Sequence, residues 1–198
     1  MEGRLLELAE RMDGGDAAQD RWVFGYGSLM WRPGFPFVER RRAVLHGRRR
    51  AFCIYSVHHR GAPERPGLVL GLAPGGATRG VAYRVAADAW GEVYAYLRER
   101  EQPTETYFEA WRRVKIDGNG PVDCLVFLSD VDHPQWAGAL TLDQQADLIA
   151  GASGLSGRNI DYLSDLVGHL HEERVRDAGM ERLLAMVEAR ETGAAAGG

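Results

Sequence analysis

Two features of this sequence could do chemistry, and they lie far apart in it. The first is an acid where an apolar residue is expected. Over 89–101, Trp90, Val93 and Leu97 recur at helical spacing, which predicts a helix that buries those three. Glu101 follows Trp90 by eleven residues. At about 100° per residue it returns to within roughly 20° of Trp90, on the buried stripe. Glu99 instead lies about 200° around from Leu97, on the polar side. A carboxylate on a buried stripe costs free energy unless it is partnered or protonated. Desolvation and the negative helix end both raise its pKa. Such a group suits general base or acid work near neutral pH. The alternatives are a helix-end residue turned to water, or a carboxylate paired with a core arginine such as Arg84.

The second feature is the stretch from Arg21 to Trp31. Trp22, Val23 and Phe24 are β-prone. The pattern then breaks at Gly25-Tyr26-Gly27-Ser28. A strand ending in such a turn can aim several N–H groups at one point and bind an anion or oxyanion. It can also be a plain strand-to-turn corner. Gly25-x-Gly27 resembles the start of a dinucleotide fingerprint, but Met30 stands where the third glycine belongs and no Gly-Lys-Ser follows. Ser28 as a nucleophile lacks the Gly-x-Ser-x-Gly frame.

The elements that must position these residues are mostly strands, with helices at the end. A β-run at 52–56 leads into a Gly- and Pro-rich loop at 58–67. Strands are expected at 68–72 and 80–85, with Gly75-Gly76 as a turn between them. Asp88 is the expected N-cap of the helix at 89–101, and Pro103 stops it. Segments 106–116 and 122–128 flank Asp117-Gly118-Asn119-Gly120, a strong hairpin signal. Thr141 to Gln144 fits a capping box for a helix to about 152. A Gly/Ser loop at 154–159 precedes helices at 159–174 and 177–191. This order argues for an α+β domain. Residues 1–20 read as a helical extension and linker, 21–191 as the domain, and 192–198 as a disordered tail.

Composition narrows the function. A 198-residue chain with 26% charged residues reads as one globular domain. The net charge of −4 argues against bulk binding to nucleic acid or membrane surface. The triplets Arg40-Arg41-Arg42 and Arg48-Arg49-Arg50 could form a nucleic-acid patch, or serve as a solvated strand face with one or two arginines for an acidic small ligand. Adjacent His58 and His59 lack a third ligand at a recognisable spacing, so no metal is expected. Two cysteines cannot form a disulfide framework, which favours a reducing, cytoplasmic setting. No apolar run is long enough to predict a transmembrane helix.

Taken in order, several segments carry a resemblance. Trp22-Val23-Phe24-Gly25-Tyr26-Gly27-Ser28-Leu29 resembles the signature of the ChaC family, the glutathione-specific γ-glutamylcyclotransferases. Arg50, Phe52 and Ser56 resemble a strand segment of that family. Arg60-Gly61, Pro66-Gly67 and Gly80-Val81-Ala82-Tyr83-Arg84 resemble its middle. Tyr96-Leu97 with Arg100-Glu101 resembles the helix of its catalytic glutamate. Ser156-Gly157-Arg158-Asn159 with Tyr162-Leu163 resembles its late loop and helix. Gln102-Pro103 departs from the basic residue and glycine common in relatives.

The resemblance implies a γ-glutamylcyclotransferase-like fold, a small, mostly antiparallel barrel-like sheet surrounded by helices. It implies cyclisation of a γ-glutamyl group to 5-oxoproline, releasing Cys-Gly when the substrate is glutathione, with no metal or cofactor. Glu101 would be the catalytic base and acid. Gly25, Tyr26, Gly27, Ser28, Leu29 and Met30 would bind substrate, with Arg50 and Tyr162 as further ligands. Other γ-glutamyl amines or amino acids are alternative substrates. A non-catalytic regulatory role on the same scaffold is a further alternative, against which the buried acid argues.

Overall fold

The computed structural model describes residues 19–101, 106–118 and 120–196. The expected extension at 1–20 lies outside them except for its last two residues, as does Gln102-Pro103. Five strands close a barrel in the order β1-β3-β2-β4-β5. They are β1 (Arg21–Gly25), β2 (Glu39–Ser56), β3 (Gly67–Val85), β4 (Tyr107–Ile116) and β5 (Pro121–Ser129). All neighbours are antiparallel except β1 and β5, whose parallel pairing of Trp22 with Cys124 and Val23 with Leu125 closes the sheet. Closure removes the sheet edges that would otherwise invite pairing with another chain. The α+β barrel with surrounding helices is the architecture anticipated above.

The longest strands correct one expectation. Gly75-Gly76 is not a turn between two strands, because β3 runs through it. Its partner β2 carries Gly47 at the same level, where His46 pairs with Ala77 and Arg48 with Pro74 across a register shift. Gly47, Gly75 and Gly76 all have positive φ (80°, 86° and 70°). Glycine adopts that conformation without a Cβ penalty. The bulge lets both strands bend together and stay paired.

Among the described residues, four helices pack around the barrel: α1 (Trp90–Glu101), α2 (Leu142–Ile149), α3 (Asn159–Glu172) and α4 (Ala178–Ala196). Val93 and Leu97 of α1 are buried, as the spacing requires. Asp88 does not cap α1, since a short 3-10 turn at Ala87–Ala89 precedes the helix. The free N–H of Ala87 is instead bound by Asp20 Oδ1 at 3.1 Å. The capping box at Thr141 and Gln144 forms. Helix α4 extends through Thr192 to Ala196, into the stretch expected to be disordered. Thr192 Oγ1 donates to the Glu188 carbonyl, and alanine is a strong helix former. A two-residue-per-strand hairpin, β6 (Ser153–Gly154) and β7 (Gly157–Arg158), leads into α3.

Candidate active site

The strand β1 delivers the glycine loop to one end of the barrel. Val23 and Phe24 are fully buried and anchor it. The chain then tightens into a 3-10 turn at Ser28–Met30, closed by Met30 N–H donating to the Gly27 carbonyl at 2.8 Å. Such a turn leaves its first N–H groups without internal partners. Among the described residues no hydrogen bond takes up the N–H of Gly27, Ser28 or Leu29.

These residues line an open-sided cavity of about 80 Å³. Tyr26, Gly27, Ser28 and Leu29 form one wall. Glu101 from the end of α1 faces them, with Leu70 of β3, Tyr107 of β4 and Tyr162 of α3 completing the enclosure. The two features read from the sequence therefore meet in one site.

Glu101 keeps 20% of its side-chain surface exposed. Burial pushes its carboxyl above the usual carboxylate range, and the neighbouring Arg100 guanidinium works in the opposite direction. Arg100 Nε lies 3.2 Å from Glu101 Oε1. The core-arginine alternative does not hold for Arg84, which pairs with Glu39 and Asp20. Three phenols surround the carboxyl. Burial holds those of Tyr26 and Tyr107 well above their ordinary value and pushes Tyr162 up to about 12. Each therefore stays neutral near pH 7 and is an oxygen donor in a largely desolvated space. Tyr107 donates to the Leu70 carbonyl at 2.6 Å.

Three residues expected at the site do not line it. Gly25 is buried beneath the turn, where an added Cβ would lie 2.9 Å from Leu29 Cβ. Met30 is 1% exposed, and its carbonyl accepts from Tyr83 at 2.7 Å. Arg50 is 6% exposed and committed elsewhere. It donates to the carbonyls of Tyr26 at 2.8 Å and Arg79 at 2.7 Å, and pairs with Asp177 at 2.7 Å. It braces the loop from behind. Leu70 and Tyr107 line the site without having been read from the sequence. Tyr107 stands at the first position of a strand just beyond the helix break, and that placement was the one available signal.

The model of the ChaC-like protein family matches residues 21–190. The chain belongs to the ChaC family. The glutathione-specific γ-glutamylcyclotransferase of Escherichia coli is 38% identical over 167 residues, covering 84% of this chain and 72% of that protein. The glutathione-specific γ-glutamylcyclotransferase 1 of Danio rerio is 35% identical over 148 residues, covering 72% of this chain and 74% of its own. A crystal structure of a yeast γ-glutamylcyclotransferase specific to glutathione superposes with a TM-score of 0.76 at 26% identity, over 87% of this chain and all of that one. Membership in the ChaC family accounts for the barrel and for the order of the sequence segments along it.

Proposed function

We propose that this chain cyclises the γ-glutamyl group of glutathione, releasing 5-oxoproline and Cys-Gly. The observation that carries the reading is the desolvated Glu101 carboxyl facing the Gly27–Leu29 loop across one cavity. The relatives named above support the choice of substrate.

The reaction is intramolecular. The α-amino nitrogen of the glutamyl unit attacks its own γ-carbonyl carbon, closing a five-membered ring. The bond from that carbon to the cysteine nitrogen breaks. At neutral pH the amine begins as an ammonium, so it must lose a proton before it attacks, and the departing nitrogen must gain one. A single carboxyl of raised pKa serves both steps, and Glu101 is assigned to them. Negative charge gathers on the carbonyl oxygen in the transition state. The N–H groups of the loop are assigned to stabilise it, because preorganised donors do so without reorganising. Ser28 and the phenols of Tyr26 and Tyr162 orient the glutamyl unit. Nucleophile and electrophile share one molecule, so folding the substrate into its attack geometry is much of the task. The protein supplies no nucleophile.

The arginines of β2 are read as structural rather than as a nucleic-acid surface. Arg40 pairs with Glu173, Arg41 with Glu39 at 2.6 Å, and Arg50 with Asp177. Binding to DNA or RNA with a steep salt dependence would overturn that reading.

The test is release of 5-oxoproline by the purified protein from glutathione, γ-glutamyl-alanine and γ-glutamyl-lysine. Preference for glutathione is expected. Turnover of only the other two would move the chain to a different substrate class.

A further inference from the structure

Arg60 stands beside the cavity, and among the described residues it has no acidic partner. Its guanidinium carbon lies 5.1 Å from the centre of the Tyr162 ring, and Tyr162 is a wall of the cavity. One of its nitrogens, Nη1, donates to the Arg158 carbonyl at 3.2 Å. Among the described residues no carboxylate pairs with it, whereas Arg50, Arg84, Arg100 and Arg158 each have at least one. A guanidinium carries five N–H donors. Most of those of Arg60 remain available, in a protein whose net charge is −4.

The arginine is also held in place. Its N–H donates to Ser56 Oγ at 2.9 Å. Ala62 and Arg65 exchange two backbone hydrogen bonds just beyond it. The hairpin of β6 and β7 grips the preceding residues, with Leu155 and Ser156 N–H donating to the carbonyls of His58 and His59 at 2.8 and 2.9 Å. Gly67 passes so close that a Cβ there would lie 2.1 Å from the Arg60 carbonyl. The main chain that carries Arg60 is thus fixed, and the Arg158 carbonyl and the Tyr162 ring hold its guanidinium, which leaves less ordering to be done when an anion binds.

The cavity of about 80 Å³ is open on one side, and pockets that enclose a whole drug-sized ligand are several times that volume, so a tripeptide seated by its glutamyl end extends beyond it. The remainder of a γ-glutamyl peptide must leave over one of the walls. We infer that Arg60, over the Tyr162 wall, forms a carboxylate subsite that takes the distal C-terminal carboxylate of a γ-glutamyl peptide. The inference rests on the function proposed above and names what would separate peptides from γ-glutamyl amines, which have no such group. The contact is remote from the reacting atoms, so it stabilises ground and transition states alike and is read in KM rather than kcat.

The test compares glutathione with glutathione amidated at its glycine carboxylate, on wild type, Arg60→Ala and Arg60→Lys. Loss of one charge-assisted contact is expected to raise KM about tenfold. Wild type should show that rise with the amide, and Arg60→Ala should show it with glutathione and no longer distinguish the two substrates. Arg60→Lys should fall between. An Arg60→Ala enzyme with unchanged KM, or one that still rejects the amide as wild type does, overturns the subsite. Calorimetric titration of both ligands into Glu101→Gln separates this from failure of the proposed function. Tighter binding of glutathione than of the amide, abolished by adding Arg60→Ala, supports the subsite whether or not wild type turns over. Equal binding of both ligands to Glu101→Gln overturns it.

Discussion

The Arg100 guanidinium donates to Ser28 Oγ at 2.9 Å, and through this bond helix α1 holds the glycine loop. The same side chain reaches the carbonyls of Arg32 at 2.6 Å and Pro33 at 3.1 Å, and its Nε faces Glu101. One residue thus sets both the distance between the acid and the loop and the charge felt by the acid. Arg100→Gln is expected to lower kcat/KM by about 10²-fold, the scale of losing a positioning contact. It should also move the acid limb of the pH profile upward, because the guanidinium holds the Glu101 carboxyl down. A loss of rate with the limb unmoved would leave Arg100 a purely structural tie.

The two loop glycines should fail differently. A Cβ at Gly25 would press on Leu29 Cβ at 2.9 Å and on backbone at 3.2 and 3.3 Å. Backbone cannot yield cheaply, so Gly25→Ala should cost about 1–3 kcal/mol of stability. A Cβ at Gly27 meets only the Leu70 Cδ2 methyl, at 3.0 Å. That methyl belongs to the cavity wall and can swing aside. Gly27→Ala should therefore stay within about 0.5 kcal/mol of wild type while losing about 10²-fold in turnover. Urea unfolding beside the 5-oxoproline assay distinguishes the two, and equal losses in both for Gly27→Ala would make the loop structural only.

Arg50 should behave as a brace. Its removal leaves the Tyr26 and Arg79 carbonyls and Asp177 without their donor. Breaking a buried ion pair costs about 3–5 kcal/mol, and the low end applies because Asp177 is partly exposed. Arg50→Ala should lower the unfolding midpoint, and the folded fraction should keep a KM near that of wild type. A KM raised tenfold in a stable variant would return Arg50 to the substrate.

The raised carboxyl of Glu101 has a cost in stability with a defined pH dependence. Its pKa is higher in the folded chain than in the unfolded one, so the folded state binds the extra proton between the two values. Stability then falls as pH rises from the unfolded pKa through the folded one. Glu101→Gln should be more stable than wild type at pH 7, and the gap should close as pH drops below the ordinary carboxylate range. Denaturant midpoints measured across pH check this, and a gap that widens in acid would contradict the burial of the carboxyl.

The parts of the site that were legible from sequence are those fixed by local geometry. Helical arithmetic alone put Glu101 on the buried stripe, and the Gly25 to Leu29 break marked the loop. The hairpin joining β4 and β5 and the capping box at Thr141 were legible for the same reason. What misled depended on distant partners. Gly75-Gly76 looks like a turn until Gly47 is known to lie across from it. Arg50 looks like a ligand until the Tyr26 carbonyl and Asp177 are found against it. Tyr107 and Leu70 reach the cavity through a contact spanning 37 residues, which no local pattern encodes.

The central claim is that one carboxyl moves both protons. Glu101→Gln removes the titrating group at nearly constant shape, so 5-oxoproline release from glutathione by this variant is the most direct measurement. A rate at least about 10³-fold below wild type, with glutathione still bound and the fold intact, is the expected result. Turnover near that of wild type would contradict it.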